Sequence, residues 1–453
     1  MRVFSDHPGK TLIAVSVALA IVHFAGLFAR GERPRLVRGD AVHYYVYLRS
    51  AVFDCDLDFE NDYKGLYRLD FTKTSPPPGF VWTFERTPTG RVRNYMATGT
   101  PLWWSPLYLM ASAGVYVWSL FGGTYPLDGY GIIFQLVPDI SGLVAVGLAL
   151  WFTFLMCRDL FGPRTALLAV LSMFAGSSLL YYGLVSPSYS HGVSAMAASG
   201  FLLYWWRTRN IDSLGRYAVV GALAGLVALV RWQDGILIAT IVLDIIWQAR
   251  RLHLAPARAA RFAGPRLIVA GVAALAAFTP QMIAWQALYG QPLTVPQGAG
   301  FMRWTDPQVV AVLVSPLRGL FSWTPLTAVG LAGLVPLWTR HKRLVWALGL
   351  FFVASTYINA SVADWWAGEA FGARRFMSGF PLFAVGLAAL LALDGWRRAA
   401  ASALTAVLVA SNLLLLLHYE VFMLGYTSLV SYPDNWSSLW LERFYLPFRL
   451  LFR

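Results

Sequence analysis

Charge is what this chain has least of. Asp, Glu, Lys and Arg make up 13% of the residues against 57% hydrophobic, with a mean hydropathy of +0.55. That balance excludes a soluble globular domain and leaves a polytopic membrane protein. Acid is scarcer than base, with 23 acidic residues, 36 basic ones and a net charge of +13. The basic residues come in short clusters between apolar runs, as cytoplasmic loops of membrane proteins do, and not in one basic domain, which excludes nucleic acid as a partner. Cysteine is nearly absent. Cys55 lies in a polar stretch and Cys157 at the end of an apolar run, so the pair offers neither a disulfide framework nor a metal-ligand spacing. Repeats of solenoid length and a linker to a separate soluble domain are missing too.

What is abundant is apolar sequence long enough to cross hydrocarbon, where only helices satisfy the backbone. Candidate segments are 11–29, 101–121, 130–157, 166–185, 193–206, 217–232, 234–248, 267–288, 321–339, 344–358, 379–394 and 401–418. The expected fold is all-α, a polytopic membrane bundle of about eleven transmembrane helices. Basic loops (158–164, 207–216, 249–266, 339–343, 395–400) alternate with loops that carry few basic residues (186–192, 289–320, 359–378). The first set is expected in the cytoplasm and the second outside. Counting crossings from the two ends disagrees by one, so either 101–121 or the start of 130–157, interrupted by Pro138, is expected to lie at the interface or to re-enter. The chain then divides into a first transmembrane helix (1–29), an extracytoplasmic loop with short interfacial helices (30–100), a multi-helix membrane domain (101–418) and an interfacial tail (419–453).

Much of the acid collects in the loop 30–100. It reads Arg38-Gly39-Asp40-Ala41-Val42-His43-Tyr44-Tyr45, and further on Asp54, Asp56, Asp58, Glu60 and Asp62 alternate with other residues. Carboxylates beside a bilayer are costly unless they have a task. Asp40, just beyond the first helix, is the candidate general base, with helix capping or an ion pair to Arg38 as the plainer alternative. The run Asp54 to Asp62 offers hard oxygen ligands but lacks the glycine and terminal glutamate of a calcium loop. A solvated acidic turn on a flexible loop is expected there, with no metal and no other cofactor.

The remaining outward loops keep polar and aromatic residues together: Tyr189-Ser190-His191, the turn Arg231-Trp232-Gln233-Asp234, Arg318, and Asp364-Trp365-Trp366-Ala367-Gly368-Glu369 followed by Arg374-Arg375. Interfacial Trp and Tyr anchor many membrane proteins, and arginines there meet anionic headgroups. The arginine fork also matches phosphate oxygens, and aromatic faces match sugar rings. The candidate donor phosphate- and sugar-binding set is therefore Arg374, Arg375, Arg318, His191, Tyr44, Trp365, Trp366 and Glu369.

Several of these stretches, in their order along the chain, resemble the GT-C superfamily of integral-membrane glycosyltransferases. They are Asp40 followed by a Tyr-rich helix, Thr100-Pro101-Leu102 re-entering the membrane, Arg158-Asp159-Leu160-Phe161-Gly162-Pro163-Arg164, and Gly225-Leu226-Val227-Ala228-Leu229-Val230-Arg231, with Asp364 to Phe376 adding to them later. The superfamily includes protein O-mannosyltransferases and the lipid A aminoarabinose and galacturonic acid transferases. The resemblance implies transfer of a sugar from a polyprenyl-phosphate donor to an extracytoplasmic glycan, lipid or protein acceptor by inverting displacement, with Asp40 as base, in a bacterial inner membrane. Two departures stand out. One acid, in Gly39-Asp40-Ala41, replaces the adjacent pair of several members, and Gly99-Thr100-Pro101 replaces Lys-Pro-Pro or His-Pro-Pro. The competing expectation is a transporter or flippase of a lipid-linked saccharide. A transporter places ionisable residues at mid-membrane, where this chain has few, Asp139 and Asp244 among them.

Overall fold

The computed structural model describes residues 7–29, 36–72, 76, 80–368, 370–420 and 436–451. Among them no strand forms, and the only β contacts are isolated bridges between Arg86 and Val92 and between Met302 and Val362. The fold is all-helical, as the apolar pattern requires. Helix α1 is Pro8–Ala29; the polar loop carries α2 (Ala41–Arg49) and α3 (Glu60–Tyr67). The bundle continues with α4 (Gly99–Leu120), α5 (Ile132–Phe161), α6 (Pro163–Ala175), α7 (Leu179–Leu184), α8 (Ser190–Thr208) and α9 (Leu214–Val230). After a 3-10 turn at Trp232–Ile238 come α10 (Ala239–Arg251), α11 (Pro256–Tyr289), α12 (Val309–Val314), α13 (Leu320–Trp323), α14 (Leu326–Ala332), α15 (Leu334–Trp338) and α16 (Lys342–Ala360). A second 3-10 turn, Arg374–Gly379, leads into α17 (Phe380–Leu391), followed by α18 (Gly395–His418) and two short helices, α19 (Trp436–Trp440) and α20 (Glu442–Leu451). Six described stretches are long and apolar enough to cross a membrane: α1, α5, α11, α16, Arg374–Leu391 and α18.

Two expected spans are broken. The stretch 166–185 becomes α6 and α7, parted at Gly176-Ser177-Ser178, and 321–339 becomes α13, α14 and α15, parted at Thr324-Pro325 and Gly333. Proline withdraws an N–H and glycine disfavours the helix, so hydropathy alone overran these stops. Pro138 does the opposite of what was expected: α5 runs through it unbroken.

Close backbone contact holds the bundle where small residues align. A Cβ on Gly221 would lie 2.2 Å from the Ala270 carbonyl oxygen, and one on Gly225 2.3 Å from that of Ala274. Glycines four apart on α9 thus meet alanines four apart on α11, the small-residue packing that membrane helices use in place of a hydrophobic drive. Of the carboxylates within the apolar runs, Asp139 lies 3.4 Å from Nε2 of His23, and Asp244 is paired with Arg216 at 2.6 Å and with Arg343. A buried charge is tolerated on those terms.

The polar loop is no loose insertion. One face of α2 sets Tyr44, Tyr45 and Leu48 against Trp104 and Tyr108 of α4 and Phe134 of α5. Its other face packs Val42, Val46 and Tyr47 with Phe59 and Tyr63 onto Trp285, Leu288 and Tyr289 at the end of α11. Within the acidic run Asp56 and Asp58 are exposed, as expected of a solvated turn, and Asp62 departs from it. Asp62 is fully buried and pairs with Arg49 at 3.3 Å, Asp54 pairs with Arg49 and accepts from Asn61 at 2.8 Å, and Asp56 accepts from Ser50 Oγ at 2.7 Å. These acids fasten the turn to itself. Among the described residues no three His, Cys, Asp or Glu side chains converge as metal ligands.

Candidate functional site

Asp40 stands at the start of a helix fixed on both faces, and the fold brings distant segments to it. A cavity of about 690 Å³ opens beside Asp40, His43 and Tyr44, with walls from the loop 80–97, the start of α8, the turn after α9, Gln297, Phe301 and the stretch 364–375. That volume lies within the usual ~300–1,000 Å³ of ligand sites. Asp40 makes no capping bond through its side chain. Its carboxylate instead receives Nη1 of Arg374 at 2.5 Å, across 334 positions of sequence, and remains 33% exposed.

The cations around it are held in turn. Arg375 donates to the Asp364 carbonyl at 2.7 Å and to its carboxylate at 2.8 Å. Arg231 donates through Nη1 to His191 Nδ1 at 2.8 Å. An imidazole that accepts at Nδ1 carries its hydrogen on Nε2, and His191 Nε2 has no hydrogen-bond partner among the described residues. Behind this layer lies Asp234, buried at 3% exposure. It accepts from Ser194 of α8 at 2.6 Å and from Ser378 of the 3-10 turn at 2.7 Å, and its carboxylate is 4.0 Å from Nε of Arg231. One carboxylate therefore ties together the segments that carry His191, Arg231 and Arg374. With Arg231, Arg374 and Arg375 facing Asp40 and Asp364 in the wall, the cavity has a net positive lining suited to an anion.

A second cavity, of about 410 Å³ and apolar, runs between α4, α5, α8 and α9, past Leu102, Trp103, Phe152, Met196, Leu226 and Leu229. Val230 lies in the walls of both cavities. An apolar trough among membrane helices thus adjoins the charged chamber, and Arg231 is the next residue along.

Of the residues expected from sequence, Asp40, Tyr44, His191, Arg374 and Arg375 line one chamber. Arg318, Trp365 and Trp366 do not line it. Arg318 is buried elsewhere and donates Nε to the Ala370 carbonyl at 2.8 Å, which tethers the loop that carries Arg374. Trp365 packs on the main apolar core, and Trp366 is 37% exposed. Glu369 lies outside the described residues. Arg231, Asp234, Tyr189, Trp82 and Tyr95 were not expected at the site. Their signal was nonetheless present, as a charged turn directly after an apolar run and as aromatic residues in the polar loop.

Gly39 sets the geometry of Asp40. Its φ is +54°, and a Cβ there would lie 1.9 Å from the Tyr189 hydroxyl. Alanine in this left-handed conformation costs roughly 1–2 kcal/mol before the clash is counted. Gly39→Ala is expected to lower the thermal midpoint, and Tyr189→Phe in the same chain to restore part of the loss. An unchanged midpoint in the single variant would show that the segment before α2 yields freely.

Burial and charge shape the titration of the loop. Burial holds His43 at about 4, below its ordinary 6.5, against the pull of the Asp40 charge. Burial also raises the Asp62 carboxyl from 3.8 to about 7, against the Arg49 charge. His43 binds fewer protons folded than unfolded between those two values, so its contribution to stability rises with pH there. Asp62 binds more protons folded, so its contribution is full below pH 3.8 and falls until about 7. The two oppose each other through most of the window. His43→Gln removes the first and keeps a partner for Tyr63, so its melting temperature in detergent should fall more steeply from pH 4 to 7 than that of the parent chain. Parallel profiles in the two chains would contradict the lowered His43.

No family model and no curated protein matches this sequence. Among solved structures, the chain is similar to the oligosaccharyltransferase of Archaeoglobus fulgidus in its apo form, with 14% identity and a TM-score of 0.47 over 94% of this chain and 60% of that one. It is similar to the same enzyme in complex with Zn and sulfate, with 16% identity and a TM-score of 0.45 over 92% and 58%. ArnT from Cupriavidus metallidurans bound to undecaprenyl phosphate has 16% identity and a TM-score of 0.44 over 97% and 75%. The chain thus spans 60% or less of the length of the archaeal enzyme.

Proposed function

We propose that this protein is a GT-C-type membrane glycosyltransferase that moves a sugar from a polyprenyl-phosphate donor to an acceptor hydroxyl on the extracytoplasmic side of a bacterial inner membrane. The observation that carries this reading is the junction at Val230, where an apolar trough between helices meets a chamber holding Asp40, Arg231 and Arg374. A donor of this class is an apolar chain, an anionic phosphate and a sugar in sequence. The trough suits the chain, Arg231 at its head suits the phosphate, and the chamber has room for the sugar.

The chemistry follows from the charges. The acceptor oxygen attacks the anomeric carbon, its proton passes to the Asp40 carboxylate, and the bond from that carbon to the phosphate oxygen breaks with inversion. The phosphate gains a negative charge as it leaves, and guanidinium groups held beforehand, Arg231 beside His191 and Asp234 and Arg374 by Asp40, stabilise that charge more in the transition state than in the ground state. In this reading arginines meet the phosphate and no metal takes part, since each carboxylate in the wall is already paired with an arginine.

A flippase needs the same headgroup contacts but breaks no bond. Reconstituting the protein with undecaprenyl phosphate bearing a labelled sugar, together with an envelope extract, separates the two. The transferase reading expects label to leave the lipid for the extract. Label that changes leaflet yet stays on the lipid supports the flippase and overturns the transferase.

A further inference from the structure

The chamber has a further wall, of aromatic and amide side chains. Asp40 and His43 share one face of the start of α2, three residues apart. The His43 ring lies 4.2 Å from that of Trp82, and Trp82 stacks on Tyr95 at 4.3 Å with 18° between planes. Trp82 and Tyr95 line the cavity, as do the amide side chains Gln233 and Gln297. Gln297 Oε1 is buried without a hydrogen-bond partner among the described residues. The cavity wall thus includes Val230, Arg231, Arg374 and Asp40, and beside Asp40 the His43 ring and an aromatic shelf.

We infer that Trp82 and Tyr95, with Gln233 and Gln297, form the acceptor subsite, and that the acceptor presents a sugar ring to it. The inference rests on the glycosyltransferase reading. A base must sit beside the hydroxyl it deprotonates, and the shelf adjoins the helix start that carries Asp40 through His43, with Arg93 over the Tyr95 ring at 5.7 Å. Pyranose rings have one or two flat C–H faces, which pack on aromatic faces, and a rim of hydroxyls, each both donor and acceptor. Amide side chains also carry both functions. A peptide acceptor would instead call for backbone hydrogen-bonding groups along an extended groove, and the shelf offers indole, phenol and amide side chains.

Saturation-transfer NMR on the detergent-solubilised protein tests this. The probes are a panel of methyl glycosides (glucoside, galactoside, mannoside, N-acetylglucosaminide, arabinoside) and a Ser/Thr tetrapeptide. At least one glycoside should bind the parent chain. Its affinity should fall about tenfold in Trp82→Ala and further with Tyr95→Ala, and recover in Trp82→Phe, which keeps a flat face. Undecaprenyl phosphate affinity, read on the same samples, should be unchanged in the shelf variants and so certify their fold. Binding of no glycoside, glycoside binding indifferent to both alanine changes, or binding of the tetrapeptide alone overturns the acceptor subsite while donor binding stands. Failure of the parent chain to bind undecaprenyl phosphate overturns the donor site, and the acceptor reading with it.

Discussion

Asp40→Asn is expected to lose on the order of a hundredfold to ten-thousandfold in sugar transfer, the range for removing a general base, with donor affinity unchanged or improved. Asparagine has nearly the same size but cannot take the acceptor proton. It also releases Arg374 from the ion pair it makes with Asp40, so the guanidinium is offered more fully to phosphate. Turnover and affinity should therefore separate, measured as transfer of labelled sugar and as equilibrium binding of undecaprenyl phosphate. Replacing Asp56 and Asp58 together by Asn should cost far less, because they only fasten a turn, and a chelator should leave the rate alone. Normal turnover in Asp40→Asn together with loss on chelation would assign the chemistry to a metal instead.

The second large effect is expected at Arg374. Its guanidinium has five N–H donors in a fixed fork, enough to keep Asp40 and reach a phosphate oxygen at once. Removing a hydrogen bond to a charged group costs about 1.5–3 kcal/mol, so Arg374→Ala should weaken undecaprenyl phosphate binding roughly tenfold to a hundredfold. Transfer should fall further than binding, because Asp40 loses the partner that orients it. Arg374→Lys restores charge without the fork and should recover binding in part and rate less. Arg375 gives a contrast. Two of its donors hold the Asp364 carbonyl and carboxylate, so Arg375→Ala should loosen the 364–372 loop as well as remove a cation from the chamber wall, and show as a lowered melting temperature with a smaller change in donor affinity than Arg374→Ala. Equal affinities in the parent chain and Arg374→Ala would remove Arg374 from the phosphate site.

The sequence exposed Asp40, Tyr44, His191, Arg374 and Arg375 for a simple reason: in a chain this apolar, a polar side chain beside the membrane is conspicuous. It could not show that Asp40 and Arg374 touch, because the contact depends on how α2, α8 and α17 pack. Arg318 looks the same in composition as Arg374, yet the fold spends it on a carbonyl of the neighbouring loop. Trp365 and Trp366 sit one segment away from the aromatic wall that Trp82 and Tyr95 supply. Asp234 was visible as part of a charged turn, but its role comes from two serines, Ser194 and Ser378, whose approach no local pattern announces. The helical class was legible from apolar run lengths, and the breaks at Gly176-Ser177-Ser178 and Thr324-Pro325 were written in residues that hydropathy averages away. The loop was read in part: Asp56 and Asp58 are exposed, as a solvated turn requires, but Asp62 is buried, and the packing of the loop's aromatics on α4 and α11, which seats Asp40, was not legible.

The central claim is that the trough and the chamber hold one donor molecule, chain in the first and phosphate at the arginines of the second. A structure of the protein with undecaprenyl phosphate bound tests it most directly. The account predicts the prenyl chain along Leu102, Met196 and Leu226, the phosphate within hydrogen-bonding distance of Arg231 and Arg374, and the Asp40 carboxylate facing the side where a sugar would project. A phosphate seated at the basic loops of the opposite face, or a chain outside the α4–α9 trough, contradicts it.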